Sequence, residues 1–224
     1  MEPRIFRDRT DAGRRLSALL SQYRNRADCI VLALPRGGVV VGYEVAQELG
    51  LPLDVCVVRK LGVPFQPELA MGAVAAGGVT VLHDDLIDAL GIPRRDVEAE
   101  IAAELAELGR RERAYRGDRP MPLMAGKTVL LVDDGIATGA TAEAALEALR
   151  KLGASRLVLA VGVAARDTAE RLSSRADTDV VAVLEPEDLS SIGIWYQNFE
   201  QTPDVEVIEL LHRAAARTEI APVA

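Results

Sequence analysis

The chain of 224 residues is poor in cysteine, histidine, lysine and aromatic side chains, and it has no excess of positive charge. Cys29 and Cys56 are its two cysteines. Both lie inside apolar, strand-like runs, where buried free thiols are expected rather than a disulfide framework or a zinc site. His83 and His212 are the two histidines, which leaves little material for a histidine-rich metal centre or a histidine-based triad. Lysine plus arginine number 26 against 34 aspartates and glutamates, a net charge of −8. That balance argues against a broad nucleic-acid-binding face, because phosphate neutralisation dominates such affinity. A local basic pocket for a small phosphorylated ligand stays open. No Gly-x-x-x-x-Gly-Lys-Ser/Thr loop and no dinucleotide fingerprint occurs. The longest uncharged stretch, 69–82, is too short to span a membrane and contains three glycines, and the opening MEPRIFRDRT has no apolar signal core. A cytoplasmic protein with no membrane partner is expected.

What the chain does have is enough apolar side chain for a core: 49% hydrophobic against 27% charged residues. Short apolar runs at 29–34, 54–58, 128–132, 157–161 and 180–184 read as strands. Helical patterns at 39–49, 139–152 and 167–175 separate them. Continuous apolar strands alternating with helices predict an α/β fold, an open parallel sheet with helices on both faces. One domain over 1–217 is expected, with a frayed tail at 218–224. An inserted helical or flexible segment, about 70–122, interrupts the rhythm. It holds a short strand or hairpin arm at 79–82 and a long amphipathic helix from Pro93 to about Arg113. The apolar stripe of that helix is Val97, Ile101, Leu105 and Leu108. The arginines at 110, 111, 113, 116 and 119 that follow have two readings: charge suited to a helix end, or cations brought to a phosphate site. A last helix should start near Thr202-Pro203-Asp204 and bury Val207, Ile208 and Leu211.

The run with the most chemical content is Val129–Thr141. A strand ends in two adjacent carboxylates, Asp133 and Asp134. A loop of small residues follows (Ala137, Thr138, Gly139, Ala140 and Thr141), and then a helix begins. Exposed backbone amides at such a helix start favour an anion, and the two threonine hydroxyls can add hydrogen bonds. The carboxylates would repel that anion, so they suit hydroxyl donors or a metal ion instead. One loop thus offers a phosphate site beside a diol site, the two ends of a ribose 5-phosphate.

This run resembles the 5-phosphoribosyl-1-pyrophosphate (PRPP) signature of the type I phosphoribosyltransferases. The resemblance implies that Asp133 and Asp134 bind ribose hydroxyls and that residues 137–141 cradle the 5-phosphate. It implies Mg²⁺, held indirectly by Asp133 and Asp134 through water or the ribose hydroxyls. A short loop after the first strand binds pyrophosphate in that family, often with a non-proline cis peptide. Here it would be Pro35, Arg36, Gly37 and Gly38, with Arg36 as the cation. Arg59 and Lys60, at what reads as the end of the second strand, are further pyrophosphate candidates, Lys60 with a catalytic role beside Arg36, Asp133 and Asp134. Trp195, Tyr196 and Phe199 bring three of the chain's few aromatics within five residues. They lie in a segment, about 185–202, that the resemblance makes a hood over an aromatic base; packing under the last helix is the other reading.

With Pro-Arg-Gly-Gly and the late Trp-Tyr motif, the likeness extends over residues 5–212, to bacterial members of unassigned substrate. It implies a transferase that moves ribose 5-phosphate from PRPP to a nitrogen acceptor, with a nucleobase-like small molecule as partner and no nucleic acid. A homodimer is left open. Alanine at 137 replaces the aspartate of the hypoxanthine-guanine members, and neither the adenine-type Ser-Tyr loop nor the orotate-type lysine-rich loop is present. No residue is therefore assigned as general base. A PRPP-sensing regulator with the same fold is the alternative, and a nucleotide-phosphate hydrolase is disfavoured by the missing P-loop.

Overall fold

The computed structural model describes residues 5–175 and 177–220, without the side chains of 67, 68 and 218–220. Five strands form a parallel sheet: β1 (Cys29–Ala33), β2 (Leu53–Val55), β6 (Thr128–Ile136), β7 (Arg156–Ala164) and β8 (Thr178–Leu184), in the order β2-β1-β6-β7-β8. Cys29–Ala33 is buried throughout, as expected of a strand covered on both faces. Helices α1 (Arg9–Leu19), α2 (Gly37–Leu49) and α7 (Asp204–Ile220) pack on one face, with Leu16, Val41, Leu130, Val132 and Leu211 in a shared core. Helices α5 (Ala140–Lys151) and α6 (Arg166–Ser173) cover the other, around Leu131, Leu146, Leu159 and Leu172.

The helical pattern at 139–152 forms α5, which buries Ala142, Ala145, Leu146 and Leu149, with Leu152 as its C-cap. The last helix starts at Asp204, within the expected region, and buries Val207 and Leu211 while Ile208 is partly covered. It continues to Ile220, past the expected fray point at 218; residues 221–224 of the expected tail lie outside the described residues. Among the described residues no helix is long and apolar enough to cross a membrane.

Three readings of the sequence are corrected. The run 54–58 is not one strand. β2 ends at Val55, and the chain passes through buried Cys56 and Val57 into a separate antiparallel sheet of β3 (Val58–Val63), β4 (Gln66–Ala75) and β5 (Val79–Leu82). Arg59 and Lys60 therefore sit in β3, not at the end of a parallel strand. The departure from the parallel sheet begins at 58 rather than near 70. It continues through α3 (Asp84–Leu90) and α4 (Arg94–Arg116), whose Val97, Ile101, Leu105 and Leu108 pack against the core that holds Leu61, Val63 and Met71. Finally, β6 runs four residues beyond Val132 and carries the acid pair within it.

Position in the sheet explains why this matters. β1 pairs with β6 only as far as Ala33–Val132, whereas β7 stays paired with β6 to Ile136–Ala164. The strand order also reverses between β1 and β6, the place where open α/β sheets bind ligands beyond their carboxyl ends. The loops after β1 and β6 face each other across that step.

Candidate active site

Alternation along β6 sends Asp133 and Asp134 to opposite faces. Asp134 is buried on the α1–α2 side, where Arg9 Nε donates to its Oδ2 at 2.7 Å. Asp133 is partly exposed and its Oδ1 accepts the Asp134 backbone N–H at 2.8 Å. Burial, and then the charge of Asp134, push the Asp133 carboxyl well above the usual carboxylate range. A carboxylate so placed gains from hydroxyl donors or a positive charge arriving beside it.

The loop 35–38 passes directly over this pair, and its Pro35–Arg36 peptide is cis, as the resemblance implied. A Cβ at Gly37 would lie 2.0 Å from Asp134 Oδ2 and 2.6 Å from Arg9 Nε, and one at Gly38 would lie 2.9 Å from Asp133 Oδ1. Bare backbone is required for the first turn of α2 to reach the acids. The Arg36 guanidinium makes no hydrogen bond or ion pair among the described residues.

The turn 137–141 lies at the end of β6. Gly139 is left-handed at φ 75° and caps α5, whose first turn has no side-chain cap. Two residues of α6 that the sequence reading missed brace the turn. Thr168 Oγ1 donates to the Ala137 carbonyl at 2.7 Å, and Arg171 Nη2 donates to that of Thr138 at 2.9 Å. Arg171 is itself tied to Glu143 of α5 at 2.8 Å. With those carbonyls held by α6, the amides at the start of α5 are left to an incoming anion. Thr138, Ala140 and Thr141 are exposed there.

Arg59 and Lys60 part company, as neighbours on a strand must. Arg59 turns to α4 and forms a two-pronged pair with Glu104 (2.6 and 3.1 Å), whose hydrogen bonds hold its guanidinium above the usual range. Lys60 faces the other way and lines a pocket of about 320 Å³ with Ala140, Thr141, His83 and Glu147. The structure thus brings Lys60, and not Arg59, to the flank of the 137–141 turn.

The aromatics divide similarly. Tyr196 is buried between Phe6 (ring centroids 5.0 Å apart) and Phe199 (4.9 Å), and its hydroxyl donates to the Asp134 carbonyl at 2.6 Å. Burial pushes its phenol far up, so it stays a donor. Tyr196 supports the acid strand from beneath instead of offering a face to a base. Trp195 is half-buried, and its indole N–H has no hydrogen-bond partner among the described residues. Phe199 carries the Arg9 guanidinium 3.9 Å above its ring, and Arg9 Nη1 donates to the Glu200 carbonyl at 2.7 Å. Arg9 therefore joins the hood segment to the acid pair. Its only sequence signal was an Asp8 helix cap, with Asp8 accepting from the Asp11 N–H, ahead of the Ala12–Leu16 spacing.

A family model described as phosphoribosyl transferase domain matches residues 6–190. Two Mycobacterium tuberculosis proteins, from strains CDC 1551 and H37Rv and named only provisionally as phosphoribosyl transferases, are 46% identical over 211 residues, 94% of this chain and 47% of each of theirs. The chain thus spans about half the length of these relatives. A 71-residue stretch, 31% of the chain, is 46% identical to a quarter of the ribose-phosphate pyrophosphokinase of Pyrococcus furiosus. Among solved structures, TT1426 from Thermus thermophilus superposes with a TM-score of 0.82 at 42% identity, over 93% of this chain and 98% of that one.

Proposed function

The chain belongs to the phosphoribosyl transferase domain family, and from that premise we propose that it binds PRPP and transfers its ribose 5-phosphate to a nitrogen acceptor, a nucleobase-like molecule, with release of pyrophosphate. The observation that carries the reading is the meeting, at the step between β1 and β6, of the acid pair, the 35–38 loop and the α6-braced 137–141 turn.

PRPP fits this arrangement group by group. The 5-phosphate sits at the start of α5, on amides that have no side-chain cap. Asp133 accepts the ribose hydroxyls, while Asp134, already bound to Arg9, holds the backbone of the pair in place. The 1-pyrophosphate then falls toward the 35–38 loop and Arg36, which has no ion pair among the described residues. Loss of pyrophosphate leaves positive charge on the ribose ring and negative charge on the leaving group. A carboxylate beside the ring and a guanidinium beside the pyrophosphate complement that separation, which is where catalysis is obtained.

The donor chemistry also fits Mg²⁺. Magnesium keeps several waters and takes one or two carboxylates together with substrate phosphates. The partly exposed Asp133 can serve it through water or through the ribose hydroxyls. When bound, the ion would neutralise pyrophosphate charge as the C1–O bond breaks. This chain's residues then orient the ring and shield it from water.

The test is a pyrophosphate-release assay with PRPP, Mg²⁺ and a panel of purine and pyrimidine bases, run on wild type and Asp133→Asn. Base-dependent release that falls in the variant supports the reading. PRPP binding with no release for any acceptor would favour the sensing role, and absence of PRPP binding would defeat both.

A further inference from the structure

Helix α6 lies outside the acid pair and the small-residue turn, yet two of its side chains hold that turn. Thr168 and Arg171 stand three residues apart, a spacing that puts both on one face of a helix. This face lies close against the turn: a Cβ at Gly139 would lie 2.8 Å from Thr168 Cγ2 and 3.5 Å from Arg171 Nη2. We infer that Arg171 is a positioning residue for the phosphate at the start of α5, because it neutralises Glu143, an acid that competes with phosphate for the same helix end. The inference rests on PRPP being the ligand and adds what lets the turn accept its anion.

Glu143 stands in the first turn of α5. The positive end of the helix dipole favours a carboxylate there just as it favours a phosphate. Glu143 and Thr141 line one pocket of about 320 Å³, so the acid and the threonine hydroxyl border the same space. A bare carboxylate in that position would repel an arriving phosphate. Two guanidiniums take it up instead. Arg171 Nη1 donates to Glu143 Oε2 at 2.8 Å, and Arg175 Nη2 donates to Oε1. Two cations on one carboxylate leave a net positive charge beside the turn.

The other prong of Arg171 acts on the backbone. Its Nη2 donates to the Thr138 carbonyl at 2.9 Å, next to the Ala137 carbonyl that accepts from Thr168 Oγ1 at 2.7 Å. Both carbonyls are thereby turned toward α6. A planar guanidinium can hold an acid on one nitrogen and a carbonyl on another, so a single side chain links the competitor to the turn. Arg166, at the start of the same helix, is engaged elsewhere: it pairs with Glu187 at 2.8 Å and donates to the Glu185 carbonyl at 3.3 Å.

The test is calorimetric titration of the full chain with ribose 5-phosphate and with Mg²⁺–PRPP. Wild type is compared with Arg171→Gln, Glu143→Gln and Arg166→Gln, and unfolding curves establish that each variant is folded. Arg171→Gln should weaken both ligands about three- to tenfold, the scale of a charged contact that is half-exposed. Glu143→Gln removes the competitor and keeps both guanidiniums, so it should bind both ligands about twofold or more tightly. That gain separates the inference from a purely structural brace, which would bind more weakly once its acid is removed. Arg166→Gln should bind as wild type does. Undiminished affinity in a folded Arg171→Gln, or weaker binding by a folded Glu143→Gln, would overturn the inference and leave the proposed function intact. A wild-type protein that binds neither ligand would overturn the function itself.

Discussion

Arg9 and Asp134, 125 residues apart in the chain, meet at 2.7 Å with each side chain only 11% exposed. The same guanidinium lies over Phe199 and donates to the Glu200 carbonyl. One side chain from the start of α1 thus fixes an acid of β6 and the segment before α7 together. Removing a partner from a buried pair leaves an uncompensated charge. Arg9→Met should therefore destabilise the fold by about 3–5 kcal/mol in urea denaturation. Adding Asp134→Asn should return part of that loss, because the orphaned charge is removed as well. A change within about 0.5 kcal/mol, the scale of ordinary surface substitutions, would show that the pair is not holding the site.

Gly37 leaves no room for a side chain. An added Cβ would lie 2.0 Å from Asp134 Oδ2 and 2.6 Å from Arg9 Nε. Gly37→Ala must push the loop off the acids, at a stability cost of about 1–3 kcal/mol typical of overpacking. Titration with PRPP should show affinity lost in a protein that still unfolds cooperatively. Wild-type affinity in Gly37→Ala would mean that the loop's approach to the acid pair is not needed for the ligand.

Arg116 makes the opposite case within the arginine-rich helix end. It pairs with Asp54 at 3.0 Å, donates to the Val55 carbonyl at 3.1 Å, and both charged side chains are under a tenth exposed. Arg116→Met should cost about 3–5 kcal/mol of stability. PRPP affinity per folded molecule should be unchanged, as judged by calorimetry at a temperature where the variant stays folded. A loss of affinity without a loss of stability would put Arg116 in the ligand site.

Much of this was legible in local patterns. The strand runs at 29–34, 128–132, 157–161 and 180–184, the helical pattern of α5 and the acid pair with its small-residue turn are each encoded over about a dozen residues or fewer, and the structure builds the parallel sheet and the β6–α5 turn from them. What was not legible depends on contacts between distant segments. No glycine, proline or asparagine marks the passage at Cys56–Val57 from one sheet to the other, because both residues are buried on the way. That is why Arg59 and Lys60 read as a strand end. Arg9 lay in a short charged stretch whose meaning comes from Asp134. Tyr196 carried an aromatic signal that fits a stacking face as well as a buried prop, and its hydroxyl bond to the Asp134 carbonyl decides for the prop. Within the arginine run, Arg116 turns inward to Asp54, a buried pairing that neither reading of the run contained.

Both cysteines are buried, and burial pushes the Cys56 thiol up to about 12 and raises that of Cys29. A raised thiol pKa keeps the neutral, unreactive form well above neutral pH. Native protein at pH 8 should show no fast reaction with a thiol-disulfide reagent, and two thiols should appear on unfolding in urea. Rapid labelling of Cys56 in the native state would contradict its placement between the two sheets.

The most direct measurement is the binding of ribose 5-phosphate and of Mg²⁺–PRPP to wild type and to Asp133→Asn, by calorimetry under one set of conditions. Wild type should bind both saturably, and the variant should lose about tenfold or more in affinity for each while staying folded. A wild-type protein that binds neither, or a folded Asp133→Asn that binds both as tightly as wild type, would contradict the placement of the sugar beside the acid pair.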